Sequence, residues 1–483
     1  MKKEKHHTIK YNFIMNFILT FSRFVFPLIT FPYVSRILRA SGNGKVAFAT
    51  SIANYFILVA SLGIPTYGIR ACSEVRDDKE KLSKVVHEIM LINIVMTLLT
   101  VIAFLISINV VDKFSAEKEL FYINAIGVVL NSVGMNWLFQ ALEKYDYITI
   151  RAIFFKFVAL ILMFIFVKKQ GDYVAYAAIS VLAAAGSNVM NLYYSHNYVD
   201  YKYLGNYNLK RHLKPIFILF AQSIATTIYT NLDTVMLGFM KTEDEVGFYN
   251  AAVKIKGVVV SLVTSLGGVL LPRMTYYASK KYTEKFGQLI VKSINASLLM
   301  SFPLTIYFII YAKQSILFLA GTDFLKAVLP MQIIMLSIVP IGITNVLGVQ
   351  CFTAICKEKY VLVTGIIGSL VDFVLNLYLI PEYGVAGAAF STTVTEVIIL
   401  ICQIYLTRKF EISLMGLHVI RYFMGACFAN LICYVICNRI NLTNPFVVLA
   451  VSGSVMAFIY AMFLLLRKEE LIMNLFHRPK ETK

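Results

Sequence analysis

The chain has 483 residues, of which 58% are hydrophobic and only 15% charged, and its mean hydropathy is +0.71. Ordinary soluble domains carry about 25% charged residues, so a string of soluble domains is excluded. The net charge of +18 raises nucleic acid as a partner, but the placement of the basic residues explains the charge without it.

Apolar blocks of 18 to 25 residues recur from end to end. About 20 such residues make a helix long enough to cross a hydrocarbon core of about 30 Å, where only helices and closed barrels satisfy their backbone polar groups. Barrel strands alternate apolar and polar residues, and runs such as VALILMFIFV (158–167) do not. The predicted spans, in chain order, are 12–35, 46–64, 87–110, 119–141, 150–167 and 173–195. A second series follows at 213–239, 247–270, 289–311, 327–352, 360–380 and 385–406, then two more at 417–437 and 445–466. The expected fold class is all-α: a polytopic membrane protein of about fourteen transmembrane helices. The start, MKKEKHH followed by apolar residues, has the outline of a signal peptide. Its apolar segment is too long, contains Arg23 and lacks a small-x-small cleavage site, so it reads as the first span.

With the N-terminus inside, cytoplasmic segments hold 28 of the 45 Lys and Arg residues, and the opposite loops hold 11. That bias is the positive-inside signature. It predicts both termini in the cytoplasm of a multi-pass protein of the inner or cytoplasmic membrane, and it assigns the basic excess to topology and anionic lipid. The remaining six, Arg23, Lys156, Lys254, Lys256, Lys292 and Arg421, fall within or at the ends of spans.

The seven cysteines form no CxxC and have no histidine at metal-ligand spacing, so they read as reduced, small core residues. There is no G-x-S-x-G, P-loop or H-E-x-x-H. Neither an enzyme, a cofactor nor a metal site is expected, and any work done would draw on a proton or sodium gradient or on mass action.

The order of the chain is a repeat. VSRIL (34–38), a short loop, GKVAFA (44–49) and a run closing in LGIP (62–65) come first. TVMLG (234–238), a short loop, VGFYNAA (246–252) and a run closing in LGGVLLPR (266–273) repeat that grammar, and YGVAGAAFST (383–392) is a third version. Internal repeats of this kind are typical of transporters, whose substrate site lies at the repeat interface. The expected units are 1–206 (spans 1–6), 207–410 (spans 7–12) and 411–483 (spans 13–14 and tail), the polar segment 196–212 dividing the first two.

Inside the spans, polar residues fall on stripes of helical period. They are Asn12, Asn16, Thr20, Arg23 and Pro27; Gln222, Thr226, Tyr229 and Asp233; Asn250, Lys254, Gly257, Ser261 and Ser265. Gly365, Gly368, Asp372 and Asn376 form another, followed by Thr392 and Glu396. A charge at the bilayer centre costs about 2.5–3.5 kcal/mol on insertion scales, so it faces a cavity or a partner. Two readings stand: a polar cavity wall, or hydrogen-bonded packing between helices. Arg23, Asn16, Lys254, Asn250, Gln222 and Thr226 are the cavity candidates. Asp233, Asp372 and Glu396 are candidates for structural pairing or for ion coupling.

The segment WLFQALEKYDYITIR (137–151) resembles the fourth span and following loop of the polysaccharide repeat-unit flippases. These form the Wzx or RfbX-like family of the multidrug/oligosaccharidyl-lipid/polysaccharide exporter superfamily. PYVSRIL (32–38), NLDTVMLG (231–238), VGFYNAAVKIK (246–256), LLPRM (270–274) and LNLYLIPEYGVAGAAFSTTVTE (375–396) resemble the same family in order. Ala141 departs from it, standing where a glycine is expected. The resemblance implies two six-helix bundles around a cavity that opens alternately to each side. It also implies an undecaprenyl-pyrophosphate-linked oligosaccharide as cargo, carried outward for O-antigen, capsule or exopolysaccharide assembly beside other assembly proteins. Arg23 and Lys254 would lower the barrier to the pyrophosphate, and the Asn, Gln and Thr residues would meet sugar hydroxyls. The alternatives are a multidrug or lipid-precursor exporter of the same superfamily, and a membrane-embedded polysaccharide polymerase or acyltransferase. The last should carry a large outer loop, and the longest here is about 15 residues (312–326).

Overall fold

The structure is a computed structural model. It describes residues 9–202, 205–265, 267–409, 414–440, 442–467, 469 and 473, apart from the side chains at 9, 10, 13, 23, 24, 222, 225, 226 and 267–269. Among the described residues there is no β-strand. The first elements are α1 (Ile9–Ser61), α2 (Ile64–Ser73), α3 (Lys79–Val110), α4 (Asp112–Ser115), α5 (Lys118–Val133), α6 (Asn136–Ala141) and α7 (Tyr145–Phe166). Then come α8 (Tyr173–Val181), a π-helical turn (Leu182–Gly186), α9 (Asn188–Ser195), α10 (Lys210–Met240), α11 (Glu243–Thr264) and α12 (Gly267–Ser279). The remainder is α13 (Thr283–Ile310), α14 (Ala312–Leu319), α15 (Val328–Met335), α16 (Ile338–Thr344), a second π segment (Asn345–Phe352), α17 (Glu358–Lys409), α18 (Val419–Arg439) and α19 (Pro445–Leu466).

Ten helical stretches among the described residues are long and apolar enough to cross a membrane. Two of them contain a turn. At 1.5 Å per residue a straight helix of 53 residues, the length of α1, would run about 80 Å, over twice the hydrocarbon core. In α1 the break is Arg39 (φ 55°, ψ −167°), and in α17 it is Gly384 (φ 54°, ψ −129°). Gly384 adopts that conformation at little cost, whereas Arg39 holds one that side chains disfavour. Each of the fourteen expected spans falls on a helix, on a consecutive set of short helices, or on one arm of these two bent helices.

Two expected loops are largely helical. The segment 65–86 holds most of α2 and the first turns of α3, and 271–288 holds most of α12. Hydropathy misses such helices because only one face is apolar. Ile64, Ala71 and Cys72 of α2 are buried in a cluster with Leu82, Trp137 and Ile216. The start of α3 is set by Asp78, whose Oδ1 accepts the backbone N–H groups of Glu80 and Lys81, each at 3.1 Å.

The contacts divide the chain into two compact units, Met1–Gly247 and Phe248–Lys483. The expected boundary at 206 thus lies one helix earlier than the division of contacts, because α10 packs on α1. Asn54 Nδ2 donates to Asn231 Oδ1 (3.1 Å), and Phe48 meets Phe239 edge-on. In the second unit the main core gathers Ile290, Ile294, Leu298, Leu347, Phe352, Tyr422 and Ala426.

Candidate functional site

In the first unit, α7 runs beside the first arm of α1 in constant register. Thr149 Oγ1 donates to the Met15 carbonyl (3.0 Å), Lys156 Nζ to Ser22 Oγ (2.7 Å) and Tyr33 OH to the Val167 carbonyl (2.9 Å). This seam orients the polar stripe of α1. Asn12 and Leu19 are buried, while Asn16 and Thr20, one turn apart on one face, are exposed. The side chains of Arg23, Gln222 and Thr226 lie outside the described residues. Ser22, next to Arg23, is the acceptor for Lys156, so a second cation of mid-helix position adjoins the Arg23 turn.

Near the same helix pair Arg151 is buried at 6% exposure. Its guanidinium donates to Asn191 Oδ1 and to Asn136 Oδ1 (2.8 Å), and packs over the Tyr147 ring at 5.2 Å. Asn191 Nδ2 donates to the Gly134 carbonyl, and Asn188 Nδ2 to the Leu130 carbonyl (3.1 Å). The need for these side chains is local. The helix breaks between α5 and α6, where Met135 has φ 38°, and carbonyls freed in a membrane must find donors. A Cβ on Gly134 would lie 2.6 Å from the Asn188 side chain and would push it off the Leu130 carbonyl. Neither Lys156 nor Arg151 stood among the cavity candidates. The available signal for Arg151 was its place as the last residue of the 137–151 motif.

A third cluster closes one end of this unit. Glu88 is fully buried; its Oε1 accepts the backbone N–H of Asn208 (2.7 Å), and its Oε2 accepts Arg211 Nε (3.0 Å). His212 Nε2 lies 2.7 Å from Glu88 Oε2, and its Nδ1 lies 2.7 Å from the Tyr67 hydroxyl. A carboxylate out of water needs this degree of pairing.

Asp233, on α10, is buried and belongs to the first unit; Asn250 and Lys254, half-buried on α11, belong to the second. Asp372 and Glu396 are also buried, on opposite arms of α17. The two arms pack through a polar seam: Thr395 Oγ1 donates to Asp372 Oδ1 (3.5 Å) and Gln403 Nε2 to Thr364 Oγ1 (3.4 Å). Tyr249 of α11 meets Thr392 of α17 at 3.1 Å between hydroxyls.

Near the start of α18 and the end of α19 a second buried glutamate recurs. Glu469, 3% exposed, accepts the Tyr422 hydroxyl at 2.7 Å and lies 2.9 Å from Arg421, with His418 at 4.0 Å. The seven cysteines are all free thiols; four are buried and Cys356 is exposed.

Two bent helices, a broken span lined by asparagine and cations within apolar helices characterise a multi-pass membrane protein. A family model described as "Polysaccharide biosynthesis protein" matches residues 9–278, and one described as MatE matches 219–378. The chain belongs to the polysaccharide biosynthesis protein family, among the Wzx-like flippases of the exporter superfamily, and is not an enzyme. A protein of Escherichia coli K12 named for O-antigen transport is 23% identical over 415 residues, covering 83% of this chain and 97% of that one. Among solved structures, the lipid II flippase MurJ in an inward closed conformation aligns with a TM-score of 0.75 and 14% identity. That alignment covers 95% of this chain and all (100%) of that one. An inward-facing multidrug-resistance MATE transporter aligns at 0.61 with 12% identity, over 79% of this chain and 97% of that one.

Proposed function

We propose that this protein flips an undecaprenyl-pyrophosphate-linked oligosaccharide from the cytoplasmic to the outer leaflet by alternating access, supplying O-antigen, capsule or exopolysaccharide assembly. The observation that carries the proposal is the open polar face of α1. Asn16 and Thr20 are exposed in the middle of an apolar helix, and polar groups facing lipid there would be costly. They fit a hydrated cavity wall. Lys156, seated on Ser22, adds a cation at the same turn of α1 as Arg23, and cations in a low-dielectric path lower the barrier for a pyrophosphate. The name of the Escherichia coli relative supports the cargo class, and the bias of 28 basic residues against 11 supports cytoplasmic termini. Reporter fusions within 205–212 check that orientation.

Arginine grips phosphate with two parallel hydrogen bonds, which lysine cannot reproduce. Arg23→Lys is therefore expected to keep partial transport and Arg23→Ala and Arg23→Glu to abolish it, at normal protein levels in the membrane. Lys156→Gln should lower transport at least about tenfold, since one hydrogen bond to a charged group is worth about 1.5–3 kcal/mol and about 1.4 kcal/mol is a factor of ten. Full complementation of a flippase-null strain by Arg23→Ala and Lys156→Gln together overturns the cationic path.

Coupling to a proton or sodium gradient is proposed through Asp233, with Asp372 and Glu396 as the further candidates. Asp233→Asn should uncouple transport from an imposed pH gradient. Unchanged gradient dependence removes Asp233 from that role. The MatE match over 219–378 favours drug export as the second reading, and transport of a lipophilic cation with no glycan-assembly phenotype on deletion would select it.

A further inference from the structure

The second unit contains a cavity of about 1360 Å³ between the end of α12, the first turns of α13 and the segments 354–356 and 415–418. Drug-sized pockets span about 300–1,000 Å³, so this space suits a larger guest. Phe286, Val291 and Ile355 give it apolar walls, and Lys281 and Lys292 stand exposed in its lining. Of its two acids, Glu469 is held by Arg421 and Tyr422, and Glu284 accepts the neutral Gln288 (3.2 Å). Among the described residues neither lysine is ion-paired. The surrounding segment 271–288 has four basic residues and one acid, and 353–359 has two and one. On the expected topology this end faces the cytoplasm, where the leaflet is anionic and basic pockets between helices take lipid head groups.

We propose that this cavity binds the phosphate head group of an anionic membrane lipid, with Lys281 and Lys292 as its cationic contacts and the apolar wall receiving the first methylenes of the chains. The site is built from residues of the second unit and the cationic path of α1 from residues of the first, and neither proposal depends on the other.

Cys356 lies in the cavity lining as an exposed thiol, so its alkylation reports occupancy. The full chain, in phosphatidylcholine vesicles with or without phosphatidylglycerol, is treated with N-ethylmaleimide, with Cys356→Ser as the blank. Phosphatidylglycerol should slow labelling at least about fivefold, as saturating occupancy by a ligand requires. Lys281→Gln/Lys292→Gln should restore the neutral-vesicle rate in the same anionic vesicles, which separates binding from a general effect of surface potential. Both lysines are exposed, and retained thermal stability confirms the variant's fold. Protection by undecaprenyl pyrophosphate in neutral vesicles would identify the cargo's own head group as the source, and protection by phosphatidylglycerol a bulk lipid; either supports the site. Equal rates in all vesicles, protection that survives the double variant, or protection by inorganic pyrophosphate alone overturns it. A transport defect elsewhere in the chain leaves this protection unchanged.

Discussion

Each unit seals one end with the same four kinds of residue, and the two seals differ. In the first, Glu88 has Arg211, His212, Tyr67 and a backbone N–H around it and no exposure at all; His212 is itself 2% exposed. In the second, Glu469 keeps Tyr422 and Arg421 close, but His418 stands 4.0 Å away with nearly half its side chain exposed. One is a closed knot that ties the 207–212 segment to α2 and α3. The other is a lip of the large cavity, held on its inner side only. An identical inventory of side chains therefore specifies neither a latch nor a binding site; the degree of closure does.

The sharpest break of this comparison is neutralisation of each acid. Glu88→Gln should cost about 2–3 kcal/mol, because it weakens the buried contacts to His212 and to the Asn208 backbone N–H, while Arg211, nearly half exposed, can turn to water. Glu469→Gln should cost about 1–2 kcal/mol, since its histidine is nearly half exposed and 4.0 Å away and so contributes little. Equilibrium unfolding in mixed micelles measures both, and equal losses would mean that closure is not the distinction. Next, Tyr67→Phe and Tyr422→Phe each delete one hydroxyl whose partner stays. Losses of about 1 kcal/mol in both are expected, and a markedly larger loss at Tyr67 would show that its histidine depends on that hydroxyl. The smallest effect concerns Asp78, the cap of the helix that bears Glu88. The Lys81 backbone N–H and ammonium hold its carboxyl below the usual carboxylate range. Its folded pKa is depressed, so its contribution is present above the unfolded value and lost as pH falls through the folded one. Asp78→Asn should lower stability slightly at pH 7 and flatten its dependence on pH below about pH 4, where the two proteins converge.

The helical fold and the family were legible in the sequence because long apolar runs and ordered motifs state them directly. The fates of the polar stripes were not. Asn16 with Thr20 and Asp372 with Asn376 have the same spacing of four, yet the first pair is open and the second buried. Periodicity reports that residues share a face. It does not report whether that face meets water or another helix, and the partner arm of α17 begins only after Gly384. Lys156 was visible as a charge inside a span, but its role depends on the parallel register of α1 and α7, a tertiary fact. The Glu88 cluster was hidden for a similar reason, since each member alone is an ordinary residue at a loop boundary.

Glu88 and His212 are 124 residues apart in the chain. At synthesis rates of about 5–20 residues per second, the glutamate waits roughly 6 to 25 seconds for its histidine and arginine to leave the ribosome. Until then α3 carries an uncompensated acid at the edge of its apolar run, where water or a proton must satisfy it. The first six spans therefore cannot finish as a unit on their own. Completion falls to the opening residues of α10, which bring Arg211 and His212 to that acid.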